Sequence, residues 1–318
     1  MSTERSDSME HLFIINPAAG SRDQTEKYSR KILELCGGLD YRIAVSAGPG
    51  DCFRLTREAA RTGKPVRVYA CGGDGTLNEV ASGAAGFPNV AVTHFAGGSG
   101  NDFVKIFSEP QAFFQLDRLL DAEETDFDLI RCNEDLALNV CSVGLDARIG
   151  TDVASYKRLP LLQGFRAYAV SALVNVIRGI GEHYRIRVNG ETIEGEKTMV
   201  CVCNGRFYGG GFNPVPDADP ADGILDILLV EKVSRLQVAG IIGKYKNGRY
   251  RDYPDLIRHI RAREIEIVCQ APTAINLDGE LRRASTIHIS IAPEKIRFFY
   301  PRNLTWQARI SANTYIHK

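Results

Sequence analysis

The sequence predicts an α/β amino-terminal domain on a parallel sheet, followed by a mainly antiparallel β-sandwich domain. Three observations carry this reading. Apolar runs and helical stretches alternate four times before about residue 120, the pattern of a parallel sheet covered by helices. From about residue 125 the apolar runs are β-rich and joined by turns. The chain has 318 residues, 44% of them hydrophobic and 25% charged, enough for two ordinary globular domains. The expected divisions are 1–124, 125–294 and a 295–318 tail returning to the first domain.

The elements follow in order. His11–Asn16 reads as a strand, then Pro17-Ala18-Ala19-Gly20-Ser21 and a polar helix to about Cys36. Tyr41–Ser46 is the second strand, with Gly48-Pro49-Gly50 and a helix over about 51–61. Val66–Cys71 is the third, with Gly72-Gly73-Asp74-Gly75 and a helix from Thr76 to about Ala84. Val90–Phe95 is the fourth, with Gly97-Gly98-Ser99-Gly100 and a helix opening at Asn101. Later strands are expected at 125–132, 136–143, 183–188, 198–204, 224–231, 264–270, 274–278 and 285–292, with helices at about 160–180 and 234–246. In parallel sheets the carboxyl ends of the strands form the ligand crevice. Three loops of small residues leave those ends, at 16–21, 72–76 and 97–101, and are expected to meet on one ligand.

The third strand's loop says most about that ligand. Its glycines remove the Cβ atoms that would hold a ligand off the backbone. The helix start that follows, at Thr76-Leu77-Asn78-Glu79, offers free N–H groups to an anion. A carboxylate in an anion-binding loop is repelled unless a cation intervenes. Phosphate with Mg²⁺ therefore fits, with Asp74 reaching the metal directly or through water. A plain strand-to-helix turn is the rival reading. No Walker P-loop and no G-x-G-x-x-G after a strand is present. A G-x-S-x-G elbow fails because Asn101 stands where its last glycine belongs.

Other segments are ambiguous alone. Asn16-Pro17 fixes an extended bend, structural or ligand-facing. The Ser99 hydroxyl, before Asn101-Asp102-Phe103, meets a phosphate or caps a helix. Tyr208-Gly209-Gly210-Gly211-Phe212 precedes Asp217, Asp219 and Asp222, which hold a cation or form an acidic surface loop. Asp278-Gly279-Glu280 after Ile275 and Leu277 presents carboxylates able to accept a hydroxyl proton, or forms a solvated hairpin turn.

Taken together and in order, Asn16-Pro17-x-x-Gly20, Gly72-Gly73-Asp74-Gly75-Thr76, Asn101-Asp102-Phe103 and Asp278-Gly279-Glu280 resemble the diacylglycerol kinase catalytic family in its soluble bacterial form. The resemblance covers roughly residues 10 to 300. The glycine–aspartate loop alone is similar to NAD kinases and phosphofructokinases. The resemblance implies that Asn16 to Gly20, Ser46, Gly73 to Glu79 and Ser99 line an ATP site, with Gly72, Asn101 and Asp102 beside them. It implies Glu280 as proton acceptor with Asp278 next to it. It also implies a structural Mg²⁺ held by the Asp222 side chain and backbone oxygens near Asp219 and Ile224. Ser46 and Ser99 stand where the family usually has Thr, and Ala96 where it usually has Pro. The implied reaction is ATP- and Mg²⁺-dependent phosphorylation of a lipid hydroxyl, with diacylglycerol the leading acceptor and the lipid entering between the domains. A NAD kinase-like enzyme and a non-catalytic nucleotide- or lipid-binding regulator are the alternatives.

Lys+Arg and Asp+Glu both number 39, so no nucleic-acid partner is expected from net charge. The eight cysteines form no Cys-x-x-Cys pair, which suits reduced thiols in a cytoplasmic protein. Residues 1–10 lack the apolar core of a signal peptide, and 165–180 is too short and polar to span a bilayer. Between Lys244 and Arg263 seven Lys/Arg stand against Asp252 and Asp255, a balance of 7 − 2 = +5, with Tyr245, Tyr250 and Tyr253 interleaved. This stretch reads as a solvated face or as a transient contact with an anionic membrane surface. An exposed sheet edge leaves a homodimer open.

Overall fold

Each strand of the first half is a short apolar run ended by a glycine or proline loop, and each loop feeds a helix. In the computed structural model, which describes residues 9–20, 22–145, 147–148 and 181–306, this produces β1 (Glu10–Ile15), α1 (Thr25–Leu35), β2 (Tyr41–Val45), α2 (Asp51–Ala60), β3 (Val66–Gly72), α3 (Asp74–Ala84) and β4 (Val90–Ala96). The expected helix at 160–180, most of the first ten residues, Ser21 and the end of the tail from 307 lie outside the described residues. By contacts the chain divides into one unit of residues 1–128 and 293–307 and another of 129–292 and 308–318.

In the first unit β1 pairs in parallel with both β2 and β3, and β3 in parallel with β4. Every residue of β4 is buried, as befits a strand inside a parallel sheet. The tail extends the same sheet, since Arg297 and Phe298 of the last strand pair in parallel with Ala91 and Val92. A cluster of Phe103, Phe107, Phe113, Phe127, Phe298 and Trp306 packs behind this edge at centroid distances of 5.0–6.4 Å. Helices α2 and α3 touch at Gly83, where a Cβ would lie 2.7 Å from the Phe53 carbonyl oxygen.

Two helix starts differ from expectation. Helix α3 begins at Asp74, two residues early, with Gly73 as its N-cap. No α-helix opens at Asn101; a 3₁₀ turn, Phe103–Ile106, follows the third loop instead. The cause is local. Asn101 adopts a left-handed φ of 51°, and its side chain turns back on Gly98, accepting from the Gly98 N–H (3.1 Å) and donating to the Gly98 carbonyl (2.8 Å).

The second unit contains the carboxyl end of β5 (Ala122–Cys132), β6 (Asp135–Ala137), β7 (Val140–Gly144), β8 (Glu182–Val188), β9 (Glu191–Cys203), β10 (Leu225–Glu231), α4 (Arg235–Lys246), β11 (Ile257–Ala262), β12 (Glu264–Leu277) and the first part of β13 (Glu280–Pro301). Its pairings are antiparallel: β11–β10–β9–β7–β12–β13, with β8 joined to both β9 and β12. Strands β9, β7, β12 and β8 thus form a circuit around one apolar core that includes Val143, Tyr184, Ile186, Val200, Val202, Ile267, Ile275 and Leu277. Strand β8 shows why, alternating buried Tyr184, Ile186 and Val188 with outward His183, Arg185 and Arg187. The runs expected at 264–270 and 274–278 are one strand, interrupted by a register shift between Val268 and Thr273. Strand β11 was not expected, because its outward Arg258 and Arg261 read as a charge patch. Helix α4 starts where Ser234 and Gln237 form a reciprocal capping box.

Candidate nucleotide-binding and proton-acceptor sites

The three glycine loops of the first unit are joined by hydrogen bonds. The Gly72 carbonyl accepts from Gly97 N–H (2.8 Å) and Gly98 N–H (3.0 Å). The Asn16 side chain donates to the Thr76 hydroxyl (3.0 Å), and its Oδ1 accepts from Ala18 N–H (3.0 Å), which sets the Pro17–Gly20 turn. Gln24 Nε2 donates to the Gly97 carbonyl (2.8 Å) and Tyr28 donates to that of Phe95 (3.2 Å), tying α1 to the third loop. Gln24 and Tyr28 escaped the sequence reading because they sit on a mostly polar helix.

The glycines divide by what surrounds them. A Cβ on Gly72 would lie 2.4 Å from the Thr76 hydroxyl, and one on Gly98 would lie 2.5 Å from the Gly73 Cα. A Cβ on Gly97 would collide with the Tyr28 hydroxyl, and one on Gly100 would lie 2.4 Å from Asp74 Oδ2. Gly98 and Gly100 thus let the second and third loops touch, Gly97 makes room for Tyr28 of α1, and Gly72 makes room for Thr76 of its own loop. Gly75 differs, because a Cβ there meets nothing within 4 Å. It lies in the first turn of α3, whose N-cap Gly73 supplies no side-chain cap. The free amides of that turn would suit an anion, with Asp74 beside them.

Asp74 has a further role. Its Oδ2 accepts from Asn101 N–H (2.8 Å) and its Oδ1 from Asp102 N–H, so it fastens the third loop to the second. A carboxylate has about four acceptor positions, so lone pairs remain for a cation carried in with phosphates. Asp102 is itself buried and paired with Lys105 (2.5 Å). Ser99 is exposed at the loop tip. Ser46 is buried against Cys52, whose thiol burial pushes up to about 11 against the Ser46 hydrogen bond. Glu79 lies apart from the glycines, its carboxylate accepting from Gly50 (2.9 Å) and Cys52 (3.1 Å) N–H and capping α2. Asn78 and Leu77 are buried in α3.

In the second unit the two carboxylates of the late turn separate by environment. Asp278, at φ 49°, accepts from Leu138 (2.7 Å), Asn139 (2.8 Å) and Val140 (2.7 Å) N–H. It anchors the 138–140 segment. Glu280 is half-exposed and pairs with Arg282 (3.0 Å), which also grips Asp135. Of the two, Glu280 has the lone pairs free to take a proton.

The expected magnesium loop is arranged otherwise. Asp222 Oδ1 accepts from Ile224 N–H (3.1 Å), its Oδ2 pairs with Arg261 (2.8 Å), and the Asp219 carbonyl accepts from Asp222 N–H (3.4 Å). Burial pushes the Asp222 carboxyl above its usual range, against Ile224 N–H and Arg261. No trio of His, Cys, Asp or Glu able to hold a metal occurs among the described residues. A cation at Asp222 would have to displace the Arg261 guanidinium. Melting without nucleotide is therefore expected to be the same in millimolar Mg²⁺ and in EDTA. A Mg²⁺-dependent rise that Arg261→Met enlarges would show a cation competing for Asp222.

Five of the seven basic residues pair with acids, three of them with acids distant in sequence. Arg251 pairs with Asp217 (2.9 Å), Arg258 with Glu191 (2.6 Å), Arg261 with Asp222, and Arg249 (2.7 Å) and Lys244 (3.5 Å) with Asp252. Tyr245 and Tyr250 are buried. No helix among the described residues is long and apolar enough to cross a membrane.

Comparisons with known proteins bear on the family and the fold. Residues 10–132 match the diacylglycerol kinase catalytic domain, and residues 139–300 the YegS C-terminal NAD kinase beta sandwich-like domain. A Staphylococcus carnosus protein named "putative lipid kinase" is 25% identical over 276 residues, 86% of this chain and 89% of that one. A solved structure titled a "putative diacylglycerol kinase" from Bacillus anthracis superposes with a TM-score of 0.72 at 23% identity, covering 92% of this chain and 97% of that one. Yeast NADH kinase shares the fold at a TM-score of 0.51 and 12% identity, over 94% of this chain and 85% of its own.

Proposed function

We propose, because this chain belongs to the diacylglycerol kinase catalytic family and carries a YegS-type C-terminal domain, that it transfers the γ-phosphoryl group of MgATP to a lipid hydroxyl, with diacylglycerol as the favoured acceptor. The observation that carries the reading is the joined set of glycine loops with an open first turn at Gly75. Phosphoryl transfer asks for positioning and charge neutralisation more than for covalent chemistry. The α3 amides would hold the phosphates. Mg²⁺ would arrive with the nucleotide and offset charge near Asp74. The lipid oxygen attacks the γ-phosphorus, the bond to the β-phosphate oxygen breaks, ADP leaves, and Glu280 takes the hydroxyl proton.

The test supplies purified protein with Mg²⁺, labelled ATP and separate micelles of diacylglycerol, sphingosine or phosphatidylglycerol. NAD is the soluble comparison, chosen because NADH kinase shares the fold. Label is expected in diacylglycerol. Label in another lipid would change the acceptor, label in NAD alone would move the activity to a soluble substrate, and no label would overturn the kinase reading.

A further inference from the structure

His94 drew no attention in the sequence, yet it lies fully buried on β4, directly beneath the joined loops. Its Nε2 is 2.9 Å from the Gly72 carbonyl oxygen, the same oxygen that receives Gly97 and Gly98 N–H. A carbonyl only accepts, so Nε2 must carry the proton and the ring is the Nε2–H tautomer. Nδ1 is then a bare lone pair, buried and without a hydrogen-bond partner among the described residues. Burial holds the imidazole below its ordinary range, opposed by the Asp74 charge and the Gly72 bond, so the ring stays neutral. Strand pairing sets this reach, because His94 is registered with Ala70, two residues before Gly72.

We infer that His94 is a positioning residue for the nucleotide loops: its Nε2–H fixes the Gly72 carbonyl on which the second and third loops converge. The inference rests on the nucleotide-binding reading above. The oxygen keeps two backbone donors when the ring is removed, so the fold has other support there. What the side chain adds is a restraint from the sheet itself. Gly73 and Gly98 approach so closely that a small shift of Gly72 moves both loops.

Three replacements separate position from bulk. Gln places an amide nitrogen near the site of Nε2, Asn places one near Nδ1, and Leu offers no donor. ADP binding with Mg²⁺ is measured by calorimetry, the KM and kcat for ATP in the lipid assay, and melting for each protein. His94→Gln is expected to stay near the wild-type affinity. His94→Asn and His94→Leu should weaken ADP about tenfold, the upper range for one neutral hydrogen bond, with KM rising more than kcat falls. Leu binding ADP like the wild type would overturn the inference, as would affinities that follow melting temperature through all three. Wild-type protein that fails to bind ADP would instead overturn the nucleotide reading itself. Nitrogen NMR of the His94 ring in the unaltered protein needs no variant to fold. The Nε2–H tautomer should persist through neutral pH and its signal should shift on adding ADP with Mg²⁺. An Nδ1–H tautomer or an unmoved signal would overturn the assignment.

Discussion

Gly98→Ala is expected to abolish measurable nucleotide binding, whereas Gly75→Ala is expected to do so in a protein at least as stable as the parent. The contrast comes from what each Cβ meets. At Gly98 it would lie 2.5 Å from the Gly73 Cα, a backbone atom with no flexible end to yield. The two loops must part, and overpacking of this kind costs about 1–3 kcal/mol. A displacement near 1 Å at a reacting centre lowers rate by roughly 10²-fold, so the chemistry should suffer more than the fold. At Gly75 the Cβ meets no protein atom. It stands in the first turn of α3, where alanine is favoured over glycine by up to about 1 kcal/mol. A melting temperature equal or higher, with ADP affinity lost, is the signature of a glycine kept for a ligand. Gly75→Ala protein that binds ADP like the parent would remove α3 from the phosphate site.

The same contrast shows what the sequence could and could not reveal. Apolar runs ended by glycine made β1 to β4 legible, because each strand signals itself within about ten residues. The glycine–aspartate motif was legible as an anion loop for the same reason. The division of labour inside it was not. Gly98 and Gly100 serve loop-to-loop contact while Gly72 makes room for Thr76 in its own loop, and only their neighbours in space reveal this. Asp74 was read as a metal contact; its bonds to the amides of Asn101 and Asp102 depend on partners 27 and 28 residues away. Strand β11 was missed because Ile257 and Ile260 point inward while Arg258 meets an acid on β9 and Arg261 one in the loop before β10, and a local charge count cannot see those acids. The pairing of Asp222 with Arg261 was hidden for the same reason, since the two stand 39 residues apart. Asp278 was the most remote case, its three amide donors lying about 140 residues earlier.

That remoteness leads to a second large effect. Glu280→Gln is expected to lower phosphoryl transfer by about 10²–10⁴-fold, the range for loss of a positioned general base. Its melting temperature should not move, because the half-exposed pair with Arg282 is worth at most about 1 kcal/mol. Asp278→Asn should do the reverse. Asparagine tolerates the left-handed backbone at φ 49°, so conformation alone is not lost. The amide NH₂, however, must face one of three N–H donors that now meet a carboxylate oxygen. A donor left without an acceptor costs about 1–3 kcal/mol, and each kcal/mol lowers melting by about 2–4 °C in a domain of this size. Residual activity, scaled to folded protein, should exceed that of Glu280→Gln. Asp278→Asn protein that melts normally and is inactive, beside an active Glu280→Gln, would exchange the two roles and make Asp278 the proton acceptor. The two single variants decide this where a double replacement cannot, since losing the anchor and losing the base would both end in an inactive enzyme.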